Sequence, residues 1–559
     1  MTKKSEITGT GRTPGSQASR RGVLQAGLAL GTVALGGGTA LAQTSGAQPG
    51  GPHAGHAGHV TPGAPAPVAP ASPAVHAGHA HMAEIGVAAS TAPPPLDQPL
   101  IEPEARRSQN GVLNTSIRCA YTWRNIGARR LYLRSYEGGL APTLRMKPGE
   151  TLKVRLDNDL PPNRDLMPRD ITRPHQFNNT NFHFHGAHCS PSGIADNVMR
   201  TMLPGKSYDV EIALPKDHTR GTYWYHPHHH GSADVQVASG MVGAIVVEGD
   251  FAEVPEIAAA RERVMLLSQV VFDAFGMIED FGSTLFPEDA TRFLAINGQR
   301  RPTIDMRPGE VQRWRVVGSQ YQDNILMELA GHRLNVIAYD GIPLTSMQEK
   351  KQLLMAPGQR ADVLVQAGAA GTYELNAMPY NQGHPSPSGP LARVVVSGEP
   401  MAMKLPAALP SKPPFETIRD EEITGRRTLV FSGAGDPPGN DPGAHWQEFT
   451  TLIDGKTFDP TRIDQRVKLG AVEEWTIRNI HQHDDHVFHI HINPFQVTEI
   501  DGKRPDDLTW RDTVVVTRAG GSTVFRSRFL DYTGIFMLHC HMMNHEEMGM
   551  MQTVEVYKD

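Results

Sequence analysis

Alternating apolar and polar residues recur at three places along the chain, each time beside a glycine turn. The first copy runs from Pro142 to Glu150, and the second from Pro302 to Glu310 lies 160 positions further on. A weaker third copy covers Val467 to Trp475. The run from Leu152 to Leu156 alternates with a period of two, which is typical of a half-buried strand.

This repeat predicts an all-β chain with three similar domains, because the period of a solenoid would be far shorter. Two-sheet sandwiches suit such strands, because the apolar face of each strand packs between the sheets and its polar face meets solvent. We place the domains at residues 97–250, 251–412 and 413–559. Long amphipathic helices are scarce, and one short helix is expected over Val254 to Arg263 at the first boundary.

The N-terminal region reads as two segments that precede the folded part. Residues 1–42 are predicted to be an export signal, with Arg20-Arg21 before a weakly apolar run and Ala40-Leu41-Ala42 as the cleavage site. The paired arginines are typical of the twin-arginine route, and a membrane anchor is disfavoured because the run is short and rich in glycine. Residues 43–96 are predicted to be disordered. Their histidines either collect metal ions loosely or are incidental to a linker.

Charge and cysteine content limit the function classes. The net charge of −6 over 559 residues gives no reason to expect a nucleic-acid partner. The three cysteines, Cys119, Cys189 and Cys540, are too few for a disulfide scaffold. Cys119 and Cys189 either pair with each other, as an exported protein permits, or remain two buried thiols.

Four clusters of histidine carry the chemistry, and each contains a His-x-His pair. Residues i and i+2 of a strand point to the same face, so each pair can hold one metal ion or two neighbouring ones. Imidazole suits copper, zinc, iron and nickel. The clusters are His183-Phe184-His185 with His188, His226-Pro227-His228 with His229 and His230, His486-Val487-Phe488-His489-Ile490-His491, and His539-Cys540-His541 with His545 and Met550.

The fourth cluster indicates which metal. Cys540, His545 and Met550, with His486 as a second imidazole, form the donor set of a blue-copper site, and zinc sites do not normally recruit methionine. Alternation along the strand sends the Cys540 side chain to the face opposite His539 and His541. A copper on Cys540 would therefore lie back to back with copper held by those two histidines.

These motifs together resemble the multicopper oxidases of the three-domain, laccase-like kind, over roughly residues 100–559. The resemblance implies three cupredoxin domains, each a Greek-key β-sandwich, and four copper ions: one type 1, one type 2 and a type 3 pair. By motif position, the type 1 ligands would be His486, Cys540, His545 and Met550. The type 2 ligands would be His183 and His489. The type 3 ligands would be His185, His226, His228, His491, His539 and His541.

The resemblance also implies the reaction and two further catalytic residues. Electrons from a reductant would pass through Cys540 to the three-copper cluster, where O₂ is reduced to water. Asp196 and Glu546 match the positions of the family's proton-relay acids. Val487 stands where the family often has proline, and we expect no effect because it is not a ligand. His188, His229 and His230 are either partners that orient ligands or structural residues. The middle domain is interpreted as a spacer, with scattered histidines such as His332 and His384.

The reductant is less well defined by sequence than the metal. The candidates are phenols and aromatic amines, as in laccases, or Cu(I), as in periplasmic copper-tolerance oxidases. Met542, Met543, Met548 and Met551 either attract Cu(I) or pack the core. The lack of a long methionine-rich insertion favours the laccase interpretation. The remaining alternative is a non-enzymatic copper-binding or cell-division scaffold. The expected location is periplasmic or secreted, without a permanent membrane anchor.

Overall fold

The computed structural model describes residues 96–164, 167–273, 275–279, 291–434, 450–505 and 508–559. The predicted signal and nearly all of the predicted linker lie outside these residues. Within them the regular structure is almost entirely β, which confirms the all-β class. This part of the chain contains no helix with the length and apolar character that crossing a bilayer requires.

The first sandwich packs a five-stranded sheet against a four-stranded one. Its described strands are β1 (Ala105–Arg107), β2 (Val112–Ile126), β3 (Arg129–Tyr136), β4 (Thr143–Met146), β5 (Thr151–Asn158), β6 (His183–His185), β7 (Lys206–Ala213), β8 (Gly221–His226) and β9 (Gly243–Val247). The sheet orders are β1-β4-β9-β8-β6 and β3-β2-β5-β7. Strand β5 contains the predicted alternating run, and its buried residues alternate with exposed or half-buried ones.

The middle sandwich has a six-stranded and a five-stranded sheet. Its described strands are β10 (Arg261–Phe272), β11 (Thr291–Ile296), β12 (Thr303–Met306), β13 (Val311–Gly318), β14 (Ile325–Leu329), β15 (Leu334–Tyr339), β16 (Ile342–Lys350), β17 (Leu353–Met355), β18 (Arg360–Gln366), β19 (Gly371–Met378) and β20 (Gly389–Val396). The sheet orders are β11-β10-β13-β18-β15-β16 and β12-β20-β19-β14-β17.

The third sandwich repeats the topology of the middle one. Its described strands are β21 (Gly425–Ala434), β22 (Thr450–Ile453), β23 (Gln465–Lys468), β24 (Ala471–Asn479), β25 (His486–Ile490), β26 (Phe495–Ile500), β27 (Trp510–Arg511), β28 (Thr513–Val516), β29 (Ser522–Phe529), β30 (Gly534–Cys540) and β31 (Met551–Tyr557). The orders β22-β21-β24-β29-β26-β27 and β23-β31-β30-β25-β28 match the middle sandwich strand for strand.

The sequence repeat therefore has a structural basis. Its three copies begin with β4, β12 and β23, and in each sandwich the next strand along the chain belongs to the other sheet. Apolar residues of the first and third sandwiches join in one buried cluster that includes Phe184, Tyr225, Phe488 and Cys540. The middle sandwich has a core of its own. The limits of the three domains stay a prediction.

Helices are few and short in the described residues. They are α1 (Ala233–Ala238), α2 (Pro255–Ala258), α3 (Met543–Glu547) and a 3-10 helix over Asp420–Glu422. Helix α2 lies where one was predicted, with proline in its first turn. It is shorter than the predicted Val254–Arg263, because pairing with β13 already begins at Arg261.

Candidate metal centre

Two antiparallel strand pairs carry the four histidine motifs. In the first sandwich β6 pairs with β8, which sets His183 opposite His226. In the third sandwich β25 pairs with β30, which sets His489 opposite His539. The same sheet position is used both times, because β6 and β25 are neighbours of β8 and β30 in equivalent sheets.

The two pairs face each other and assemble one buried cluster of eight imidazoles. His183 stacks on His491 with ring centroids 4.0 Å apart, and His185 stacks on His489 at 3.9 Å. Each of these contacts joins the first sandwich to the third. All members are buried, and we call them the eight-histidine cluster: His183, His185, His226, His228, His489, His491, His539 and His541.

Oxygen atoms around the cluster fix which imidazole nitrogen carries the proton. A carbonyl can only accept, so the contacts of His489 Nδ1 with Asp512 O at 2.8 Å and of His226 Nδ1 with Pro227 O at 3.0 Å are donated by Nδ1–H. His539 Nδ1 likewise lies 3.1 Å from Cys540 O. In all three rings Nε2 is then the deprotonated nitrogen, which is the form that binds a metal.

Three Nε2 atoms of the cluster already have the spacing of a metal site. The Nε2 atoms of His228, His491 and His539 are separated by 3.1, 3.1 and 3.3 Å. A point at the centre of such a triangle is about 1.8 Å from each nitrogen, near the ~2.0 Å of imidazole–metal bonds. His539 Nε2 has no proton to donate, and a hydrogen bond joins only two nitrogens at a time, so a cation at the centre explains all three short distances better than hydrogen bonding does.

The other cluster members also offer buried nitrogen atoms. The Nε2 atoms of His183, His226 and His489 make no hydrogen bond within the described residues. His185 Nδ1 lies 3.1 Å from His541 Nε2. Buried polar atoms are rarely left without partners, so this set fits metal ions in its centre.

Burial favours the neutral form of most imidazoles in the cluster. Burial, followed by the neighbouring histidines, lowers the pKa of His183 and His491 well below the usual value of 6.5. Burial lowers the pKa of His226 to about 3 and that of His228 to about 4. Neutral imidazoles have a free lone pair at physiological pH and can bind a cation.

The second site lies on the other face of β30. His486 Nδ1 and His545 Nδ1 are 3.0 Å apart, and they lie 3.6 and 3.8 Å from Cys540 Sγ. Met550 is buried, and its carbonyl accepts the Cys540 N–H at 3.0 Å. The neighbours of Cys540 in sequence, His539 and His541, belong to the eight-histidine cluster. The back-to-back arrangement that strand alternation predicts is therefore present in the structure.

Val487 has a role that the sequence interpretation missed. Its backbone N–H donates to Cys540 Sγ at 3.4 Å, a bond that proline could not make. Burial raises the pKa of the Cys540 thiol to about 12, and the N–H groups of Val487 and Met542 act against that rise. The expectation that this departure from the family pattern has no effect stays a prediction, and it did not take this backbone contact into account.

A further imidazole covers the outer edge of this second site. His481 Nδ1 lies 3.2 Å from His486 Nε2, and the two rings are nearly parallel with an interplanar angle of 14°. His486 and His545 are themselves buried. His483 is exposed, and its ring centroid is 6.0 Å from that of His481. His481 thus separates the predicted ligand His486 from the surface.

Both predicted relay acids contact the eight-histidine cluster. Each carboxylate oxygen of Asp196 lies 3.1 Å from His183 Nδ1, and one of them accepts the Phe184 N–H at 2.9 Å. Glu546 lies on α3, 2.9 Å from His539 Nδ1 and 3.5 Å from His228 Nδ1. Burial raises the pKa of Asp196 to about 8. Burial also acts to raise the pKa of Glu546, but His539 and His228 outweigh it and lower that pKa to about 2.

Asp512 is a site residue that the motifs did not reveal. Its Oδ1 lies 3.3 Å from His185 Nε2, while its carbonyl binds His489. Arg360 of β18 donates to both carboxylate oxygens of Asp512, at 2.7 Å for Oδ1. The available signal was an acid directly before the buried, valine-rich strand β28.

The middle sandwich therefore contacts the cluster, and the spacer interpretation, which did not include these contacts, stays a prediction. Gly358 lies so close that a Cβ added there would be 2.8 Å from His541 and 3.1 Å from His185. Its φ of +85° also favours glycine. Arg360 is fully buried and is further held by Asp340, whose carboxylate accepts the Arg360 backbone N–H at 2.9 Å.

The remaining predicted residues have structural contacts. His188 joins the first and third sandwiches, with Nδ1 2.8 Å from Ile492 O and Nε2 2.9 Å from Asp531. His230 binds Ile171 O at 2.8 Å, and His229 is half-buried. Cys119 and Cys189 are free, buried thiols rather than a disulfide.

Family models match three separate segments of the chain. Each is described as "Multicopper oxidase", and they cover residues 173–251, 277–397 and 436–559. This chain belongs to the multicopper oxidase family. The cupredoxin-like fold that the sequence resemblance implied is thereby confirmed.

Curated relatives of this multicopper oxidase have two kinds of name. "Multicopper oxidase mco" of Staphylococcus aureus is 24% identical over 431 residues, which cover 76% of this chain and 83% of the relative. "Cell division protein FtsP" of Escherichia coli (strain K12) is 25% identical over 394 residues, which cover 67% and 75%.

Solved structures share the fold at similarly low identity. A multicopper oxidase from Campylobacter jejuni, described as a metallo-oxidase, has a TM-score of 0.69 and 24% identity, covering 83% of this chain and 96% of its own. A laccase-like multicopper oxidase from Ochrobactrum sp., with activity towards lignin model compounds, has a TM-score of 0.66 and 22% identity, covering 82% and 100%.

Proposed function

We propose that this multicopper oxidase is laccase-like: it oxidises phenols or aromatic amines by one electron at a type 1 copper and reduces O₂ to water at a trinuclear copper cluster. The observation that carries the proposal is the position of Cys540. Its sulfur lies between His486 and His545 on one face of β30, while His539 and His541 enter the eight-histidine cluster on the other. One strand thus connects two metal sites through a single residue.

The ligand sets follow from this geometry and from motif position. His486, Cys540, His545 and Met550 would hold type 1 copper, and His183 and His489 would hold type 2 copper. The type 3 pair would be held by His228, His491 and His539 on one side and by His185, His226 and His541 on the other. Copper bound there supplies the one-electron chemistry and the activation of O₂. The chain supplies neutral donors, fixed tautomers and exclusion of bulk water.

Asp196 and Glu546 would move protons to the cluster. Each is buried and contacts a predicted ligand through a nitrogen that faces away from the cluster centre, Nδ1 of His183 for Asp196 and Nδ1 of His539 for Glu546. The two acids therefore approach the cluster through different ligands. Reduction of O₂ to water consumes protons that a buried site cannot take directly from solvent.

The methionines around the fourth motif favour an organic reductant over Cu(I). Met542, Met543, Met548 and Met551 are all buried, with exposed fractions of 0–2%. They pack the core, so they offer no thioether surface on which an incoming Cu(I) ion could dock. Cuprous oxidase activity remains the alternative, and one solved relative, from Campylobacter jejuni, is described as a metallo-oxidase.

A non-enzymatic scaffold is the third candidate, because some relatives are named for cell division. The complete donor set argues against it, since a scaffold has no need to bury eight imidazoles together. We further propose export by the twin-arginine route to the periplasm or the medium, as the predicted signal in residues 1–42 implies.

The test is copper loading followed by a substrate panel, with two cysteine variants. C540S removes the thiolate of the type 1 site, while C119S removes another buried thiol that has no metal donor role and serves as the control. We expect the wild type and C119S to bind four copper ions, to show the blue thiolate-to-copper absorption, and to oxidise a phenol with uptake of O₂. C540S should lose the blue band and the turnover while retaining the copper of the trinuclear site.

Other outcomes discriminate among the candidates. Preference for Cu(I) over phenols would replace the laccase assignment by the cuprous oxidase. A copper-loaded wild type without a blue band or O₂ uptake would leave the scaffold as the better interpretation.

A further inference from the structure

The backbone N–H of Val487 is directed at the sulfur of the predicted type 1 site. The N···Sγ distance to Cys540 is 3.4 Å, and both side chains are fully buried. Water therefore does not compete for the sulfur, and the amide dipole acts at short range through a medium of low polarity. This contact depends on residue 487 not being proline, since proline has no N–H.

The strand geometry explains why this N–H is available. Strand β25 pairs with β30 from Phe488 onward, and the register sets Phe488 opposite Cys540. Val487 is one residue before that ladder begins. Its carbonyl accepts the His541 N–H at 2.6 Å, while its own N–H goes to the sulfur instead of to a strand carbonyl. The hydrogen bond is therefore a fixed feature of the place where the β25–β30 ladder begins.

Such a bond changes the energy of the metal in a predictable direction. The positive end of the N–H dipole draws electron density from the thiolate, so the sulfur donates less to an oxidised copper. The reduced state has one positive charge less and is favoured by the nearby dipole. Hydrogen bonding around the cysteine sulfur is one of the means by which proteins set the potential of blue-copper sites.

We propose that Val487 is a positioning residue that raises the reduction potential of the type 1 site by donating its backbone N–H to Cys540 Sγ. The proposal rests on the proposed function, because it concerns copper at that site. It assigns a role to a position where this chain departs from the proline that its family often has. Val487 acts through Cys540 and touches neither the substrate nor the metal.

The consequence is a wider range of reductants. A phenol would give up one electron to copper held at this site, and its proton would go to solvent. Met550 would be one of the residues that hold this copper, and its thioether is expected to keep the potential at a modest value. The N–H of Val487 opposes that effect, so that phenols which hold their electron more tightly become substrates.

The experiment compares V487P, which removes the N–H, with V487A, which keeps it and also shortens the side chain. Proline is compatible with the extended conformation of a strand position whose N–H is not part of the ladder, and His486 before it is already in a strand. In V487P we expect the type 1 potential to fall, with electron acceptance from a one-electron donor disfavoured about tenfold, the typical value of one hydrogen bond to a charged acceptor. The copper–sulfur vibrations and the blue band should shift in V487P and not in V487A.

A second measurement does not depend on how V487P folds. In holoprotein labelled with ¹⁵N-valine, spin density on the sulfur should produce a ¹⁵N coupling in pulsed EPR of the type 1 copper. V487A removes the label at this position and should lose the coupling. An unchanged potential in V487P, or a missing ¹⁵N coupling in the wild type, overturns the proposal while the laccase assignment stands. A wild type that forms no type 1 site overturns both.

Discussion

The outer two sandwiches and the middle one place very different residues on equivalent strands. Strands β6 and β8 of the first and β25 and β30 of the third carry the histidines. Their counterparts in the middle sandwich are β14 and β19, with the sequences Ile-Leu-Met-Glu-Leu and Gly-Thr-Tyr-Glu-Leu-Asn-Ala-Met. The fold is the same, but these two strands contain neither histidine nor cysteine. The difference teaches that the sandwich supplies positions, and side chains at those positions supply the chemistry.

The middle sandwich contributes through its loops and one strand end instead. Gly358 and Arg360 approach the eight-histidine cluster, and His384 binds Asp484 in the loop before the third motif. None of these residues donates to a predicted copper. They fix the shape and the charge around donors that other sandwiches provide. The predictions below test whether the middle sandwich is a spacer or a working part of the site.

The largest effect is expected from R360M. Arg360 is fully buried, and its loss leaves the carboxylates of Asp512 and Asp340 without their cation. Breaking a buried ion pair on one side costs about 3–5 kcal/mol of unfolding free energy. Because Asp512 also binds His185 and His489, the copper content should fall as well. Denaturant unfolding and metal analysis of the holoprotein measure the two effects.

R466M is the matched control for that change. Arg466 pairs with Glu555 in the third sandwich, but the two side chains are 61% and 30% exposed, so the expected loss is about 1 kcal/mol or less. Adding D512N to R360M should recover part of the stability, because the uncompensated charge is then removed. Equal losses of unfolding free energy in R360M and R466M would favour the spacer interpretation.

A smaller, more local effect is expected from G358A. The new Cβ would contact His541 and His185, and the φ of +85° is unfavourable for alanine. Overpacking and the left-handed backbone together cost about 2–4 kcal/mol. Because the strain falls on predicted type 3 ligands, EPR should show loss of the magnetic coupling of the pair while the blue band persists.

Gly398 provides the control for the backbone contribution. It has nearly the same φ, +86°, and open space around the site of a Cβ. G398A should therefore cost only about 1–2 kcal/mol and leave every copper signal unchanged. Identical spectra in G358A and G398A would mean that the middle sandwich does not constrain the ligands.

The contrast also shows what could be predicted from sequence. Strand alternation was enough to place Cys540 opposite His539 and His541, because a period of two is a local property of the backbone. The three sandwiches followed from a repeat of turns and alternating residues. Asp512, Arg360 and Gly358 could not be found this way, since their importance arises from contacts between residues far apart in the sequence. The sequence interpretation considered only the side chain of Val487, which is not a metal ligand, whereas the backbone N–H of this residue makes the contact with the sulfur.

The smallest effect concerns His384, which lies between Asp323 and Asp484 at 3.1 and 3.5 Å. Burial lowers its pKa, but the hydrogen bonds to both carboxylates outweigh this and raise the pKa to about 9. Since the folded pKa exceeds the unfolded one, this stabilisation is complete below pH 6.5 and is lost as the pH rises through about 9. H384N should therefore lower the free energy of unfolding by about 1–2 kcal/mol at pH 6 and by much less at pH 10.

H332N is the control. His332 is half-buried and bonded to backbone groups, so this variant measures how much unfolding free energy is lost when the imidazole has no carboxylate partner. If H384N loses the same unfolding free energy at pH 6 and at pH 10, His384 joins the middle sandwich to the third-motif loop by packing alone, and not as a cation.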